Sequence, residues 1–232
     1  MARFLVIAAS SGIGNATVNL LKEAGHSVFT TARNRNKIIP DAVLDATDFN
    51  AVEEVFKNVG EIDGVVNCSG SLLLKPAHLT NKEEYHNVIE ASLTTAFGTV
   101  RAAGKNMNKG GSVVLISSAA AMTGLANHEA IAASKAGIIG LTLSAAATYA
   151  PMNLRFNAIA PGLVERSLTS AITGNQNTRK FSESMHALGR LGKPDDIARA
   201  IVFFLDPANN WITGQVLGVD GGLSRISPKI RG

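Results

Sequence analysis

The turn after the first apolar run of the chain has the residue types of a phosphate-binding site. Residues 3–8 form a run of strand length and lead into the sequence ASSGIG at 9–14, after which a helical segment begins. Glycines at such a turn let the backbone approach a pyrophosphate, whose charge is met by free N–H groups and the helix dipole. A tight strand-to-helix turn also needs glycine for purely steric reasons, so the turn alone leaves both interpretations open. The candidate cofactor-binding residues here are Ala9, Ser10, Ser11, Gly12, Ile13 and Gly14.

The end of the second apolar run indicates which dinucleotide such a turn would hold. The chain reads TTARNR at 30–35, with no carboxylate to hydrogen-bond a ribose 2′-hydroxyl or to repel a 2′-phosphate. Arg33 and Arg35 instead offer planar donor groups that suit phosphate. We therefore expect NADP as the cofactor, with NAD as the alternative if both arginines are ordinary solvated charges.

Alternating strand and helix patterns predict the fold that positions these groups. Short apolar runs are separated by segments with apolar residues at three- and four-residue spacing. This βαβ rhythm predicts an α/β, Rossmann-type, doubly wound fold, with a seven-stranded parallel sheet and helices on both faces. The predicted strands are 3–8, 27–31, 42–45, 62–67, 111–117, 153–159 and 215–219, and the predicted helices are 12–24, 48–58, 81–107, 129–149 and 194–205.

Length and composition favour a single domain over residues 1–232. The chain has 232 residues, of which 46% are hydrophobic and 17% charged, and this suits one compact core. No internal repeat or proline-rich linker divides it. The segment 162–188 is polar, interrupted and long for a connection, so it predicts a substrate-covering loop rather than a core element.

Composition also limits the classes of partner and location. The net charge is +4, but the basic residues are scattered, which does not favour nucleic-acid binding. No run approaches the roughly 18 apolar residues of a membrane span, so we expect no membrane association and a cytoplasmic location. The lone Cys68 excludes an intramolecular disulfide and a multi-cysteine metal site, and we expect a buried, inert thiol and no metal.

The first turn resembles the cofactor loop of the short-chain dehydrogenase/reductase family, and the resemblance extends along nearly the whole chain. The family loop usually reads Thr-Gly-x-x-x-Gly-x-Gly, and residues 7–14 are similar, with Ala8 in place of the first glycine. An alanine is tolerated there if its φ is negative, in which case the loop changes shape only modestly. The resemblance implies a nicotinamide-dinucleotide cofactor.

The resemblance implies further cofactor contacts. LDATD at 44–48 is similar to the segment that lines the adenine, and NCSG at 67–70 is similar to a motif beside the cofactor. The Pro-Gly pair at 161–162 resembles the turn whose backbone meets the nicotinamide carboxamide, while Arg166 stands where a threonine or serine often touches that group. Asn67 could equally be a strand-end hydrogen-bonding residue. The residues implied at the cofactor are Asp45, Ala46, Asn67, Ser69, Gly70, Lys135, Pro161, Gly162 and Val164.

Two members of the family's catalytic set are present and two are replaced. Family members usually carry a serine, a tyrosine 13 residues later and a lysine four residues after that. Ser118 and Lys135 match the first and the last, whereas Ile131 stands at the tyrosine position and Ser92 replaces the family's asparagine. The resemblance implies that Ser118 donates to a substrate oxygen and that Lys135 holds the nicotinamide ribose, unless Lys135 is a surface lysine. Isoleucine cannot give or take the proton that the tyrosine handles.

His128 is the candidate substitute for the missing proton donor. It precedes Ile131 by three residues and Lys135 by seven. The seven-residue spacing is similar to that between tyrosine and lysine in the divergent enoyl-reductase branch of the family. A histidine titrates near neutrality and can shuttle a proton. The alternative is that His128 and Glu129 are simply polar residues at a helix start.

Two functions remain open from the sequence. The first is an NADP(H)-dependent short-chain oxidoreductase acting on a carbonyl or alcohol of a small molecule, with Ser118, Lys135 and His128 as catalytic residues. The second is a non-catalytic nucleotide-binding sensor, scaffold or silent subunit of a hetero-oligomer, which Ile131 and Ser92 motivate. An enoyl-reductase-like activity rests on the histidine spacing alone.

The C-terminal segments 190–198 and 212–222 are close to the family pattern. Together with the apolar helices 81–107 and 129–149, they imply a homotetramer or homodimer. The alternative is that these helices only cover the sheet.

Overall fold

Seven strands form one parallel sheet, as the sequence predicts. The computed structural model describes residues 1–227, except for the side chains of residues 171 and 173. The strand order is β3-β2-β1-β4-β5-β6-β7, so the winding reverses between β1 and β4, where Rossmann-type folds bind their ligands. The strands are β1 (Arg3–Ile7), β2 (Ser27–Ala32), β3 (Ala42–Val43), β4 (Gly64–Asn67), β5 (Gly111–Ile116), β6 (Leu154–Pro161) and β7 (Val216–Val219).

The edge strand β3 is shorter than the predicted 42–45. Leu44 still donates its backbone N–H to Ala32 at 2.9 Å, but the chain then turns away. The turn is held by the Asp45 carboxylate, which accepts from the backbone N–H and the hydroxyl of Thr47 at 3.1 and 2.8 Å. A local side-chain hydrogen bond therefore competes successfully with further pairing at the sheet edge.

Helices cover both faces of the sheet and bury two cores. On one face, α1 and α8 pack together, and Ile13, Leu21 and Ile201 are buried there against strand residues. On the other face, α2, α4 and α5 bury Phe56 and Ile138. The helices are α1 (Gly12–Glu23), α2 (Phe49–Val59), α3 (Lys82–Ile89), α4 (Thr95–Asn106), α5 (Glu129–Tyr149), α6 (Ser170–Thr173), α7 (Gln176–Met185) and α8 (Pro194–Leu205).

The helix predicted over 81–107 is interrupted by one wide, π-helical turn over Glu90–Thr94. The start of the helix is stabilised by a reciprocal capping box between Asn81 and Glu84, with hydrogen bonds of 2.8 and 2.9 Å. At the wide turn, the Thr95 hydroxyl hydrogen-bonds the carbonyl oxygen of Ser92 at 3.1 Å. Such turns are frequent at functional sites, and this one carries Ser92.

The segment 162–188 contains more regular structure than the sequence predicts. It holds the short α6 and the ten-residue α7, which starts where Asn175 accepts from the N–H groups of residues 177 and 178. Thr169, Ser182 and His186 are buried, so part of the segment is packed into the domain. Its polar composition did not indicate α7, because the buried residue of this helix is the polar Ser182 and not an apolar stripe.

The long helix α5 is more apolar over its whole length than the sequence patterns predicted. By length and composition alone, Glu129–Met152 could cross a membrane. Its buried residues include Ile138 and Ala145, which belong to the same core as the strands. This is the packing of a central helix in an α/β domain.

Candidate cofactor and active site

The turn between β1 and α1 is organised around Ser11. The Ser11 hydroxyl caps α1 by accepting from the Gly14 N–H at 3.0 Å. The N–H groups of Gly12 and Ile13 lie in the first helical turn and have no acceptor within the helix. A Cβ on Gly14 would lie 2.5 Å from the carbonyl oxygen of Ala8, so only glycine fits there. These features fit a bound pyrophosphate.

Ala8 departs from the expectation for this turn. The prediction that an alanine is tolerated here assumed a negative φ. Its φ is instead +59°, in the left-handed region. For a residue with a Cβ this conformation costs roughly 1–2 kcal/mol. The turn keeps its shape because the Ser11 N–H bonds the Ala8 carbonyl at 3.0 Å and the Ala9 N–H bonds Thr31 at 2.8 Å. These two hydrogen bonds therefore hold Ala8 in a strained conformation.

A first cavity of about 780 Å³ lies at this turn. We call it the nucleotide cavity. The predicted residues that line it follow the ends of four different strands, β1 to β4, which the parallel sheet brings to one edge. They are Ser10, Ser11, Gly12, Arg33, Asp45, Ala46, Ser69 and Gly70.

Side chains of both charges line the nucleotide cavity. Arg33 and Lys37 line it, and both are exposed. Lys37 lay outside the sequence prediction, and its Nζ donates to the Ser167 hydroxyl at 3.3 Å. Hydrogen bonds from Thr47 are the main cause that lowers the pKa of Asp45, and the charge of Arg33 is a smaller cause in the same direction. Arg35, predicted beside Arg33, does not line the cavity.

Four other predicted cofactor residues line neither the nucleotide cavity nor the second cavity beside it. Ala9 and Ile13 are buried in the core, and Gly14 packs under the turn. The buried Asn67 amide donates to the Thr95 carbonyl and the Thr99 hydroxyl, both at 2.9 Å, and its oxygen accepts from the Ser69 N–H at 2.8 Å. Asn67 therefore joins β4 to α4 and positions Ser69, and its amide is fully used within the protein.

A second cavity of about 590 Å³ adjoins the first, and we call it the substrate cavity. The two cavities share Cys68, the 69–71 segment and Arg166 as lining residues. All three predicted catalytic residues and the predicted nicotinamide-side residues line the substrate cavity. They are Ser118, His128, Lys135, Pro161, Gly162 and Val164.

The Ser118 hydroxyl can donate a hydrogen bond into the substrate cavity. Ser118 follows β5 in extended backbone, and its Oγ accepts from the Ala120 N–H at 3.2 Å. In the described part of the chain no acceptor takes the hydroxyl hydrogen. It is thus available for an oxygen atom in the cavity.

Lys135 is a buried lysine, not a surface one. It is 5% exposed, and its Nζ donates to the carbonyl oxygen of Ile116 at 2.8 Å. Burial, and after it the nearby positive charge of Arg166, lower its pKa to about 7. A Cβ on Gly70 would lie 3.3 Å from Nζ, so the glycine leaves room beside the amine.

The positions of the missing tyrosine and asparagine are occupied by buried residues. Ile131 is 4% exposed and packs against Val88 and Leu73, while it also lines the substrate cavity. The Ser92 hydroxyl is buried and has no hydrogen-bond partner among residues 1–227. Ile131 therefore offers no hydrogen-bonding group at its position, and the Ser92 hydroxyl is unpaired in the described part of the chain.

His128 occupies the N-cap position of α5, just before the helix begins, and its side chain makes no capping hydrogen bond. Its Nδ1 lies 2.7 Å from the carbonyl oxygen of Ala126. A carbonyl only accepts, so Nδ1 carries a hydrogen and Nε2 is the nitrogen left to exchange a proton. The residue lines the substrate cavity, a position that is compatible with the hypothesis of a proton-shuttling histidine.

Two further residues of the site were not singled out as site residues from the sequence. His186 is 2% exposed, and it accepts from the Leu163 N–H at Nε2 while Nδ1 donates to the Ser182 carbonyl. It thus fixes the backbone just after the Pro-Gly turn. Arg166 lines both cavities. No sequence pattern pointed to His186, which lies in the irregular segment 162–188, and the family resemblance marked Arg166 only as a departure from the usual threonine or serine.

Cys68 is buried, as expected, at the border of the two cavities. Burial raises the pKa of its thiol to about 12. The thiol is therefore protonated and inert at neutral pH.

The sheet order, the glycine turn and the paired cavities define a Rossmann-type domain for a dinucleotide beside a substrate pocket. A family model described as enoyl-(acyl carrier protein) reductase matches residues 7–224. The chain belongs to the short-chain dehydrogenase/reductase family.

Similar proteins are oxidoreductases by name. The chain is 34% identical over 240 residues to the 3-oxoacyl-(acyl-carrier-protein) reductase FabG of Thermotoga maritima, with 94% of this chain and 96% of that protein covered. It is 32% identical over 242 residues to carbonyl reductase family member 4 of Danio rerio, with coverages of 96% and 98%.

Solved structures share the whole fold. The aldohexose dehydrogenase of Thermoplasma acidophilum, in ligand-free form, superposes with a TM-score of 0.90 at 28% identity, covering 100% of this chain and 97% of that one. ElxO with NADP bound superposes with a TM-score of 0.88 at 27% identity, with coverages of 96% and 99%.

Proposed function

We propose that this protein is an NADP(H)-dependent oxidoreductase that transfers hydride to or from a carbonyl or alcohol of a small molecule. The observation that carries the proposal is the junction of the two cavities, with Ser118 and Lys135 lining the substrate side. Bound NADPH would supply the hydride. The chain itself must then hold the substrate oxygen and provide a proton.

Two observations support NADP over NAD. Arg33 and Lys37 line the nucleotide cavity, and positive side chains there favour a 2′-phosphate. The structurally similar ElxO holds NADP. Asp45 lines the same cavity, but its carboxylate is engaged with Thr47.

Each retained residue has a defined role in the proposed reaction. The Ser118 hydroxyl donates to the substrate oxygen, and the Lys135 amine contacts the nicotinamide ribose. Since Ile131 carries no titratable group, the proton for the product oxygen comes from His128 at Nε2 or from water.

The proposal is tested by fluorescence titration with NADPH and NADH, run beside cofactor oxidation by ketones, quinones and acyl thioesters. We expect binding with slow turnover, and NADPH binding tighter than NADH. H128A should lower kcat at least tenfold, whereas H86A, which removes an exposed histidine outside both cavities, should not. An unchanged H128A rate would assign the proton to water.

A second candidate, a non-catalytic nucleotide-binding protein, is favoured by one observation. Ile131 is packed into a small apolar cluster with Val88 and Leu73, so the tyrosine position has become part of the structure. Such a protein would serve as a sensor, a scaffold or a silent subunit of a hetero-oligomer. NADPH binding without turnover over the whole carbonyl panel would favour it.

We further propose a homotetramer or homodimer in the cytoplasm. Phe97 on α4 and Leu143 on α5 are about half exposed, and a partner subunit would cover them. Light scattering of the purified protein tests the assembly. A monomer at micromolar concentration would contradict it.

A further inference from the structure

Arg166 is built into the wall between the two cavities. It precedes the turn at Ser167–Thr169 in extended backbone, and its N–H donates to the Thr169 hydroxyl at 3.2 Å. A Cβ on Gly12 would lie 3.2 Å from the Arg166 Cβ, so the side chain starts directly against the phosphate-binding turn. From there it contributes to the lining of both cavities.

The guanidinium has an unmet hydrogen-bonding requirement. Its Nε is buried and has no hydrogen-bond partner among residues 1–227. Burial lowers the pKa of Arg166, since the charge is held in a poorly solvated place. Buried arginines are normally paired with an anion, so an unpartnered donor here calls for an explanation.

The surrounding cavity carries cationic side chains, and part of its wall is apolar. In the part of the chain that the structure describes, no aspartate or glutamate lines the substrate cavity. Arg166 and Lys135 are close enough for the arginine charge to lower the lysine pKa. Ile131, Phe181 and Met185 supply apolar walls. Such walls focus the field of the cations and attract anionic ligands.

We propose that Arg166 binds the carboxylate of an anionic carbonyl substrate, a keto acid with an apolar body. The inference rests on the proposed function, because it places that carboxylate in the cavity whose Ser118 receives the carbonyl. The planar guanidinium holds a carboxylate through two parallel hydrogen bonds. The pyrophosphate of a bound cofactor would offer the same anionic oxygens near Gly12, but the free amides of the turn would meet its charge.

The test compares keto acids with their neutral methyl esters. Calorimetric titrations with 4-oxopentanoate, 5-oxohexanoate and 7-oxooctanoate, and with the three esters, are run with and without NADPH. For the unmodified protein we expect at least one acid to bind tenfold or more tighter than its ester. R166Q should abolish this difference, R166K should keep part of it, and R35Q, which removes an exposed arginine outside both cavities, should leave it unchanged.

The outcomes separate the possible sources of the anion. Equal binding of acids and esters to the unmodified protein would overturn the proposal, whether or not R166Q folds. If R166Q instead weakens NADPH tenfold and affects acids and esters equally, Arg166 serves the cofactor pyrophosphate and the proposal also fails. Arg166-dependent binding of acids without turnover would keep the anion site and remove the oxidoreductase proposal, so the two claims fail separately.

Discussion

Lys135 donates a hydrogen bond from Nζ to the carbonyl oxygen of Ile116 at 2.8 Å, and this joins α5 to the end of β5. The Ser117 hydroxyl completes the connection by donating to the Lys135 carbonyl at 2.9 Å. The lysine is thus held by the two elements that carry the site, in a place where its charge is poorly solvated.

The buried amine makes stability depend on pH. Its pKa is about 7 in the folded protein against 10.5 in its ordinary state, so between these values the unfolded chain binds more protons. The free energy of unfolding should therefore rise with pH over this window, by about 5 kcal/mol at most. K135M should remove that rise in urea unfolding of the cofactor-free protein at pH 6.5 and 9.5. K22M, at an exposed lysine, should keep it, and parallel curves for K135M and the unmodified protein would contradict the account.

Restoring a phenol at position 131 should raise activity. Ile131 lines the substrate cavity on the same helix as Lys135. A positioned general acid contributes about 10²–10⁴-fold to a rate. We expect I131Y to raise kcat by about 100-fold, measured as NADPH oxidation. I131F supplies the ring without the hydroxyl and should give no increase, and an equal gain in both variants would point to packing as the cause.

Replacing Ala8 by glycine should not destabilise the protein. At an ordinary position the change costs about 0.5–1 kcal/mol through backbone entropy. At a φ of +59° it also relieves roughly 1–2 kcal/mol of strain. Thermal unfolding should show A8G at least as stable as the unmodified protein. A147G, on the exposed side of α5, should lose about 1 kcal/mol, and an equal loss in A8G would mean that the strain is absent.

Two neighbouring arginines should differ in cofactor binding. Arg33 lines the nucleotide cavity and Arg35 does not. R33A should weaken NADPH about tenfold, the effect of losing one charge-assisted hydrogen bond at an exposed site, and leave NADH nearly unchanged. R35A is the matched control in the same fluorescence titration. Equal losses in both variants would indicate only a general electrostatic effect.

The features that local patterns encode could be predicted from the sequence. Strand and helix periodicity predicted the parallel sheet and the alternation of strands and helices along the chain. Glycine spacing predicted the turn before α1. Ser118 and Lys135 were found through family resemblance, and the structure brings them to one cavity with His128.

Features set by tertiary contacts could not be predicted. The sign of φ at Ala8 depends on how the turn meets Thr31, and the burial of Asn67 depends on α4 lying beside β4. The place of Arg166 depends on the path of segment 162–188. No periodicity records these relationships, because each joins residues distant along the chain or fixes one backbone angle.

The central claim is that this site transfers hydride although it lacks the tyrosine. The most direct measurement incubates the protein for a day with keto acids and neutral ketones and NADPH that carries deuterium at nicotinamide C4, followed by mass spectrometry of the alcohols. We predict deuterium at the carbinol carbon with the unmodified protein and at least tenfold less with S118A. NADPH binding without any deuterated alcohol would contradict the account.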